Sequence, residues 1–154
     1  MVRSLYLLIF LLVTPLLGAC SEAETTLKDG YYSAEMASFD SEGWKSFVTI
    51  YVANGKIITV EYDAKNEAGF LMSWDMDYIR WMKSVRNTYP NAYMRAYSTA
   101  LLNWQDPQKV YPLLGAERYC ELFKRLAKAA MGNSSLENKE IAIIPYPAYS
   151  ITTH

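Results

Sequence analysis

The stretch Phe47-Val48-Thr49-Ile50-Tyr51-Val52-Ala53-Asn54-Gly55-Lys56-Ile57-Ile58-Thr59-Val60-Glu61-Tyr62 decides the fold. Two runs rich in β-branched and aromatic residues flank Asn54-Gly55, a pair suited to the positive φ angles of a tight hairpin. Residues 47–52 and 57–62 are therefore expected to be antiparallel strands. Their register depends on which face becomes apolar. A two-residue loop sets Val48, Ile50 and Val52 against Glu61, Thr59 and Ile57. One more loop residue gathers Val48, Ile50, Val52, Ile58, Val60 and Tyr62 on a single face. A slip of one residue turns every side chain over. The all-apolar face thus predicts a three-residue loop or a bulge at Asn54-Gly55-Lys56.

Before the hairpin, residues 30–39 (GYYSAEMASF) follow a turn-like Lys28-Asp29-Gly30 and read as a third strand. After it, the period changes to that of helices. Ser73 is placed to cap a helix with Asp75 and Asp77 in its first turn and Lys83 and Arg86 near its end. Tyr78, Ile79, Met82 and Val85 form its apolar stripe. Pro90 suits the first turn of a second helix, in which Tyr93, Met94, Tyr97, Leu101 and Trp104 recur before Asp106-Pro107 stops it. A third helix is expected from about Ala116 to Gly132, with Tyr119, Leu122, Phe123, Leu126, Ala127 and Ala130 on one side. Ile141 begins a short apolar run to Ile144, an edge strand because Pro145 and Pro147 forbid a central place. The fold class is α+β: a small antiparallel sheet packed against about three helices.

Among 154 residues, 15 are basic and 16 acidic, for a net charge of −1. No basic stripe exists to collect phosphates, which argues against nucleic acid as a partner. The composition, 51% hydrophobic, is too apolar for a disordered chain. One histidine, His154, and two cysteines leave little for a zinc site or a Cys/His nucleophile. Acid pairs such as Asp75 and Asp77 read as helix N-terminal charge. Cys120, on an apolar helix face, reads as a small buried hydrophobe. No catalytic constellation emerges, and the expectation is a protein that is not an enzyme.

Residues 1–19 read as a leader. Arg3 supplies the positive start, and residues 5–17 form an apolar run interrupted by Thr14 and Pro15. That run is shorter than the roughly 18 apolar residues of a membrane-spanning helix and suits a signal peptide. The junction Leu17-Gly18-Ala19-Cys20 resembles the lipobox of bacterial lipoproteins. The resemblance implies cleavage before Cys20, lipidation of that cysteine, and an extracytoplasmic protein anchored in the cell membrane or outer membrane. Ser21, in place of an aspartate, leans toward the outer membrane. The leader takes Arg3 and no acid with it, leaving 14 basic and 16 acidic residues, a charge of −2. Residues 20–29, the lipidated cysteine and a polar stretch, read as a tether. With Cys20 acylated, Cys120 has no intramolecular disulfide partner.

Several stretches together resemble one family. Asp29-Gly30-Tyr31-Tyr32 leads to Phe39-Asp40-Ser41-Glu42-Gly43-Trp44-Lys45-Ser46-Phe47-Val48, then to Asn54-Gly55-Lys56-Ile57. Tyr62-Asp63-Ala64-Lys65-Asn66-Glu67-Ala68-Gly69 and Ser73-Trp74-Asp75 follow. In order and spacing they are similar to the FMN-binding-domain lipoproteins of bacterial envelopes, including the membrane-anchored immunogen group. The resemblance places an FMN-binding-like domain at 30–132, with 133–154 as a C-terminal tail. It implies a role in flavin binding and electron transfer, with a redox or envelope protein as partner. In that family the FMN phosphate is joined to a threonine in a Ser-Gly-Ala-Thr-like motif just before a helix. The helix N-terminus offers unpaired N–H groups to the phosphate. Here the matching stretch is Leu114-Gly115-Ala116-Glu117-Arg118. Gly115 and Ala116 are kept, but Glu117 stands where the acceptor threonine belongs. A carboxylate cannot form that phosphoester, so covalent FMN is not expected. Noncovalent FMN stays open, with Arg118 placed to meet a phosphate and Trp44, Trp74 and Trp81 able to stack on a ring. The alternative is a degenerate member that lost its flavin and serves as a structural or partner-binding surface lipoprotein.

Overall fold

The computed structural model describes residues 26–147. The expected leader at 1–19, the expected lipidation site Cys20, the expected tether up to residue 25 and His154 lie outside the described residues. The elements are β1 (Gly30–Met36), β2 (Lys45–Ala53), β3 (Lys56–Lys65), α1 (Met76–Arg86), α2 (Pro90–Trp104), α3 (Glu117–Ser135) and β4 (Ala142–Ile144). The fold is α+β, as the sequence predicts. One sheet in the order β3-β2-β1-β4 packs against α2 and α3. Three strands are antiparallel, and β4 joins the β1 edge in parallel. Its place at the edge is the one its flanking prolines permit. Among the described residues no helix is long and apolar enough to cross a membrane.

The hairpin corrects the expected loop. Ala53 faces Lys56, and Asn54 and Gly55 both take positive φ, 53° and 70°, so the turn has two residues. The extra residue lies farther along β3. Val52 faces Ile57 and Tyr51 faces Thr59, leaving Ile58 unpaired and 52% exposed. Beyond that bulge Ile50 meets Val60 and Val48 meets Tyr62. Asn-Gly keeps the two-residue turn that matches strand twist, and the bulge restores the apolar face. Ile57, rather than Ile58, enters the core.

β1 stops at Met36, short of Phe39, because Asp40 turns the chain: its Oδ1 accepts from the backbone N–H groups of Glu42 and Trp44. Asp75, rather than Ser73, caps α1 by accepting from the N–H groups of Asp77 and Tyr78. Ser73 belongs to a short 3-10 turn, where its hydroxyl donates to the buried Asp63. Of the predicted stripe of α1 only Met82 is fully buried, and Val85 is exposed.

Pro90 opens α2, and Tyr93, Met94, Tyr97 and Leu101 are buried as predicted, whereas Trp104 is exposed. The end of α2 is tied to the hairpin. Gln105 accepts from the Ile57 N–H at 2.8 Å and donates to the Ile57 carbonyl at 2.9 Å. The predicted end of α3 at Gly132 is also corrected, since the helix continues through that glycine to Ser135. Burial explains the extension. Ser134, fully enclosed, donates its hydroxyl to the Lys28 carbonyl at 2.9 Å and accepts from the Lys28 N–H at 3.1 Å, pinning the chain start to α3.

The core fills the space between the sheet and α2 and α3, where all six residues predicted for the buried side of α3 are found. It is unusually rich in tyrosine. Each ring adds apolar area while its hydroxyl needs a partner. Tyr62 donates to the Tyr119 carbonyl at 3.0 Å, Tyr97 to the Ala116 carbonyl at 3.0 Å, and Tyr93 to the Met72 sulfur at 3.4 Å. Tyr93 and Tyr119 stack with centroids 4.6 Å apart.

Candidate functional site

The candidate site is the N-terminal end of α3, where the loop from 110 to 116 returns the chain beneath the end of α1. Gly115 has φ +81°, and a Cβ there would run into the Arg86 carbonyl oxygen. Glycine is required on both counts: the left-handed backbone and the close approach of α1. Ala116 is buried, and its carbonyl accepts from both the Tyr97 hydroxyl and the Cys120 N–H. Two of the motif positions are thus built into the packing of the loop itself.

Glu117 is exposed at the first position of α3, and its Oε1 accepts from the Gly115 N–H at 3.0 Å. Its carboxyl is held below the ordinary range by its own backbone N–H, then by that of Gly115. The negative charge faces the positive end of the helix dipole. Leu114, at the serine position of the motif, is 83% exposed.

Arg118 turns the other way. Its Nη2 donates to Asp40 Oδ2 at 3.0 Å, and that carboxylate is only 5% exposed. Next to this pair, Arg86 meets Glu42 at 3.5 Å, and Glu42 accepts from the Tyr78 hydroxyl, which is itself 3.0 Å from the Tyr119 hydroxyl. Burial, then the hydrogen bonds to Glu42 and Tyr119, push the Tyr78 phenol far above its ordinary value. Burial likewise pushes Tyr97 up to about 12. These phenols are neutral donors across the physiological range. The local charges are Arg86 and Arg118 against Asp40, Glu42 and Glu117, so the cluster carries one acid in excess.

A hollow of about 490 Å³ lies beside Arg118, lined by Phe39, Asp40, Ser41, Arg118 and Tyr146. The three tryptophans considered for ring stacking do not line it. Trp44 is buried against Tyr78, while Trp74 and Trp81 stand exposed on the outer side of the 3-10 turn and α1. Cys120 is buried, with its Sγ 3.7 Å from the Val110 carbonyl, and burial pushes its thiol up. Asp75 and Asp77 serve the start of α1.

The structure therefore brings Gly115, Ala116, Glu117 and Arg118 together, as their adjacency dictates. It adds Asp40, Glu42, Tyr78 and Arg86, which the sequence places in a loop and along α1 with nothing to link them to this helix end. The Asp40-Ser41-Glu42-Gly43 turn was a legible signal for a structured loop, but nothing local links it to Arg118, 78 positions away.

Known proteins narrow the class. The chain is 34% identical over 128 residues to the 15 kDa lipoprotein of Treponema pallidum (strain Nichols), covering 83% of this chain and 89% of that protein. It belongs to the family of that lipoprotein. The chain is thus that of a bacterial cell-envelope lipoprotein, associated with a membrane through a lipid anchor. A crystal structure from Clostridium perfringens matches it with a TM-score of 0.75 at 30% identity, over 79% of this chain and 99% of that one. A solution structure from Clostridium thermocellum matches with a TM-score of 0.52 at 27% identity, over 75% and 95% of the two chains. No family model matches the chain.

Proposed function

We propose that the lipoprotein is held at an envelope membrane by lipid on Cys20 and carries an FMN-binding-like domain that works without covalent flavin. One observation carries this reading: Glu117 closes onto the Gly115 N–H at the helix end where the resemblance would seat a flavin phosphate. The residues present do not fit covalent FMN. The acceptor hydroxyl is missing, a carboxylate takes up an N–H the phosphate would need, and the cluster has excess negative charge to repel it. Noncovalent FMN would have to enter the hollow beside Arg118, within the size range of ligand pockets. There its phosphate would compete with Asp40 for the guanidinium. We read the protein as a non-enzymatic one.

A fluorescence-quench titration with FMN tests the noncovalent form, and the expected result is no saturable uptake. The attachment chemistry is tested by restoring the motif. Glu117→Thr with Leu114→Ser, produced beside a flavin transferase, should gain flavin that the parent chain does not acquire. A folded double variant that stays colourless would contradict the motif assignment.

A second reading, a partner-binding surface lipoprotein, is favoured by α1. Phe70, Trp74, Met76, Trp81 and Val85 leave a large apolar area in solvent around a helix that buries only Met82. It predicts that a surface substitution such as Trp74→Ser leaves stability unchanged while abolishing partner capture in envelope extracts.

A further inference from the structure

The described chain begins against the C-terminal half of α3. Leu27 lies in a hollow of about 410 Å³ with Pro107, Lys128 and Met131, and Lys28 is bonded in both directions to Ser134. Cys20 is six residues before Thr26, a chain length that spans at most about 20 Å. An acyl anchor on Cys20 would therefore keep this end of the domain within about 20 Å of the lipid surface.

The same end carries positive charge. Lys124, Arg125 and Lys128 line a second hollow beside the turn at 107–109, with Gln108 and Lys128 common to both hollows. Lys109, on that turn, sits 5.7 Å over the ring of Trp104, which is 58% exposed. Among the described residues none of these four cations forms an ion pair. Each hollow also has one acid in its lining: Asp106, which caps the turn through the Gln108 N–H, in the first and the exposed Glu121 in the second. A basic face with an exposed tryptophan suits the boundary between headgroups and water. Lys28 is bonded to Ser134 at the end of the 19-residue α3, so the acidic cluster at the helix start stands roughly 25 Å from where the described chain begins.

We propose that the face built from residues 124–135 of α3 and the turn at 107–109 docks on anionic phospholipid headgroups, orienting the domain with α1 and the start of α3 away from the membrane. The proposal rests on the lipid anchor at Cys20. Charge complementarity and the short span to Cys20 select this occupant over a soluble one.

The test uses the purified full chain with its native anchor in vesicles of phosphatidylcholine, alone or mixed with an equal share of phosphatidylglycerol. Some of the lipid carries a nitroxide on its headgroup to quench tryptophan. Anionic vesicles should quench the protein, and Trp104→Phe should remove that quenching. A Trp74→Phe/Trp81→Phe double variant should keep it. Neutralising Lys124 and Lys128 to Gln should lower the docked-to-undocked ratio about fivefold per lysine at low salt, and added salt should mimic the loss. Equal quenching by neutral and anionic vesicles, or quenching that follows Trp74 and Trp81, would overturn the proposal while leaving the anchor intact. Protein that washes off both kinds of vesicle would instead overturn the anchor, and this proposal with it.

Discussion

At the N-terminal end of α3, Glu117, Arg118 and nearby Arg86 each meet a group supplied by the same chain. Along its middle, Lys124, Arg125 and Lys128 form no ion pair among the described residues. One helix thus has a start whose arginine charges are paired within the chain and a farther stretch whose charge is left for something outside. A helix start with free N–H groups is a ready anion site, and here Glu117 supplies the anion. On the proposed reading, a binding motif persists here as packing after its ligand chemistry is gone. Gly115 and Ala116 are held by the approach of α1 and by the Tyr97 hydroxyl, whatever occupies the helix end.

The sharpest way to break the closed end is Gly115→Ala. The added Cβ meets the Arg86 carbonyl, and the residue must hold a positive φ, so a loss of about 3 kcal/mol is expected in urea unfolding. A change within error would show that the loop is free to relax and that α1 does not brace it. Next in size is Asp40→Ala, which removes the acceptor for two backbone N–H groups and for Arg118. A loss of about 2 kcal/mol is expected, with Asp40→Asn recovering part of it through the retained Oδ1.

A smaller effect separates this end from the open sheet face, where Glu35 bridges Lys45 and Lys65. Burial pushes the Glu35 carboxyl up, but the two lysines outweigh it and the net shift is downward. A depressed folded value means the stabilisation is present above the ordinary value of 4.5 and is lost as pH falls through the lowered one. Glu35→Gln should therefore flatten the acid limb of the stability profile below that point and leave its slope at neutral pH unchanged. The smallest change in stability belongs to the basic face of α3. Lys124→Gln with Lys128→Gln should stay within about 0.5 kcal/mol of the parent, since neither lysine is paired. A larger loss would mean the basic face is part of the fold rather than a surface for lipid.

Much of this architecture was legible in the residues. Strand faces and helix stripes follow from period alone, which is why Tyr93, Tyr97, Leu101 and the buried side of α3 fall where the pattern puts them. The bulge at Ile58 was not legible in place. Apolar alternation requires one extra residue somewhere in the hairpin, but Asn-Gly takes a two-residue turn so readily that the residue moves into β3. Gly132 was read as a stop from propensity, and Ser134's enclosed bonds to Lys28 outweigh the roughly 1 kcal/mol glycine costs inside a helix. Ser73 was read as a cap because no local signal announces that Asp63 claims its hydroxyl. The candidate site was half legible. Its motif is contiguous, whereas the Asp40–Arg118 and Glu42–Arg86 pairs are contacts that only the packing of loop, α1 and α3 creates.

The central claim is that Glu117 has taken the place of an attached flavin at the start of α3. The most direct measurement is the intact mass and visible absorbance of the lipoprotein purified from membranes of cells that also make a flavin transferase. The account predicts a colourless protein whose mass is that of the acylated polypeptide alone. A stoichiometric FMN adduct, with flavin absorbance that survives denaturation, would contradict it.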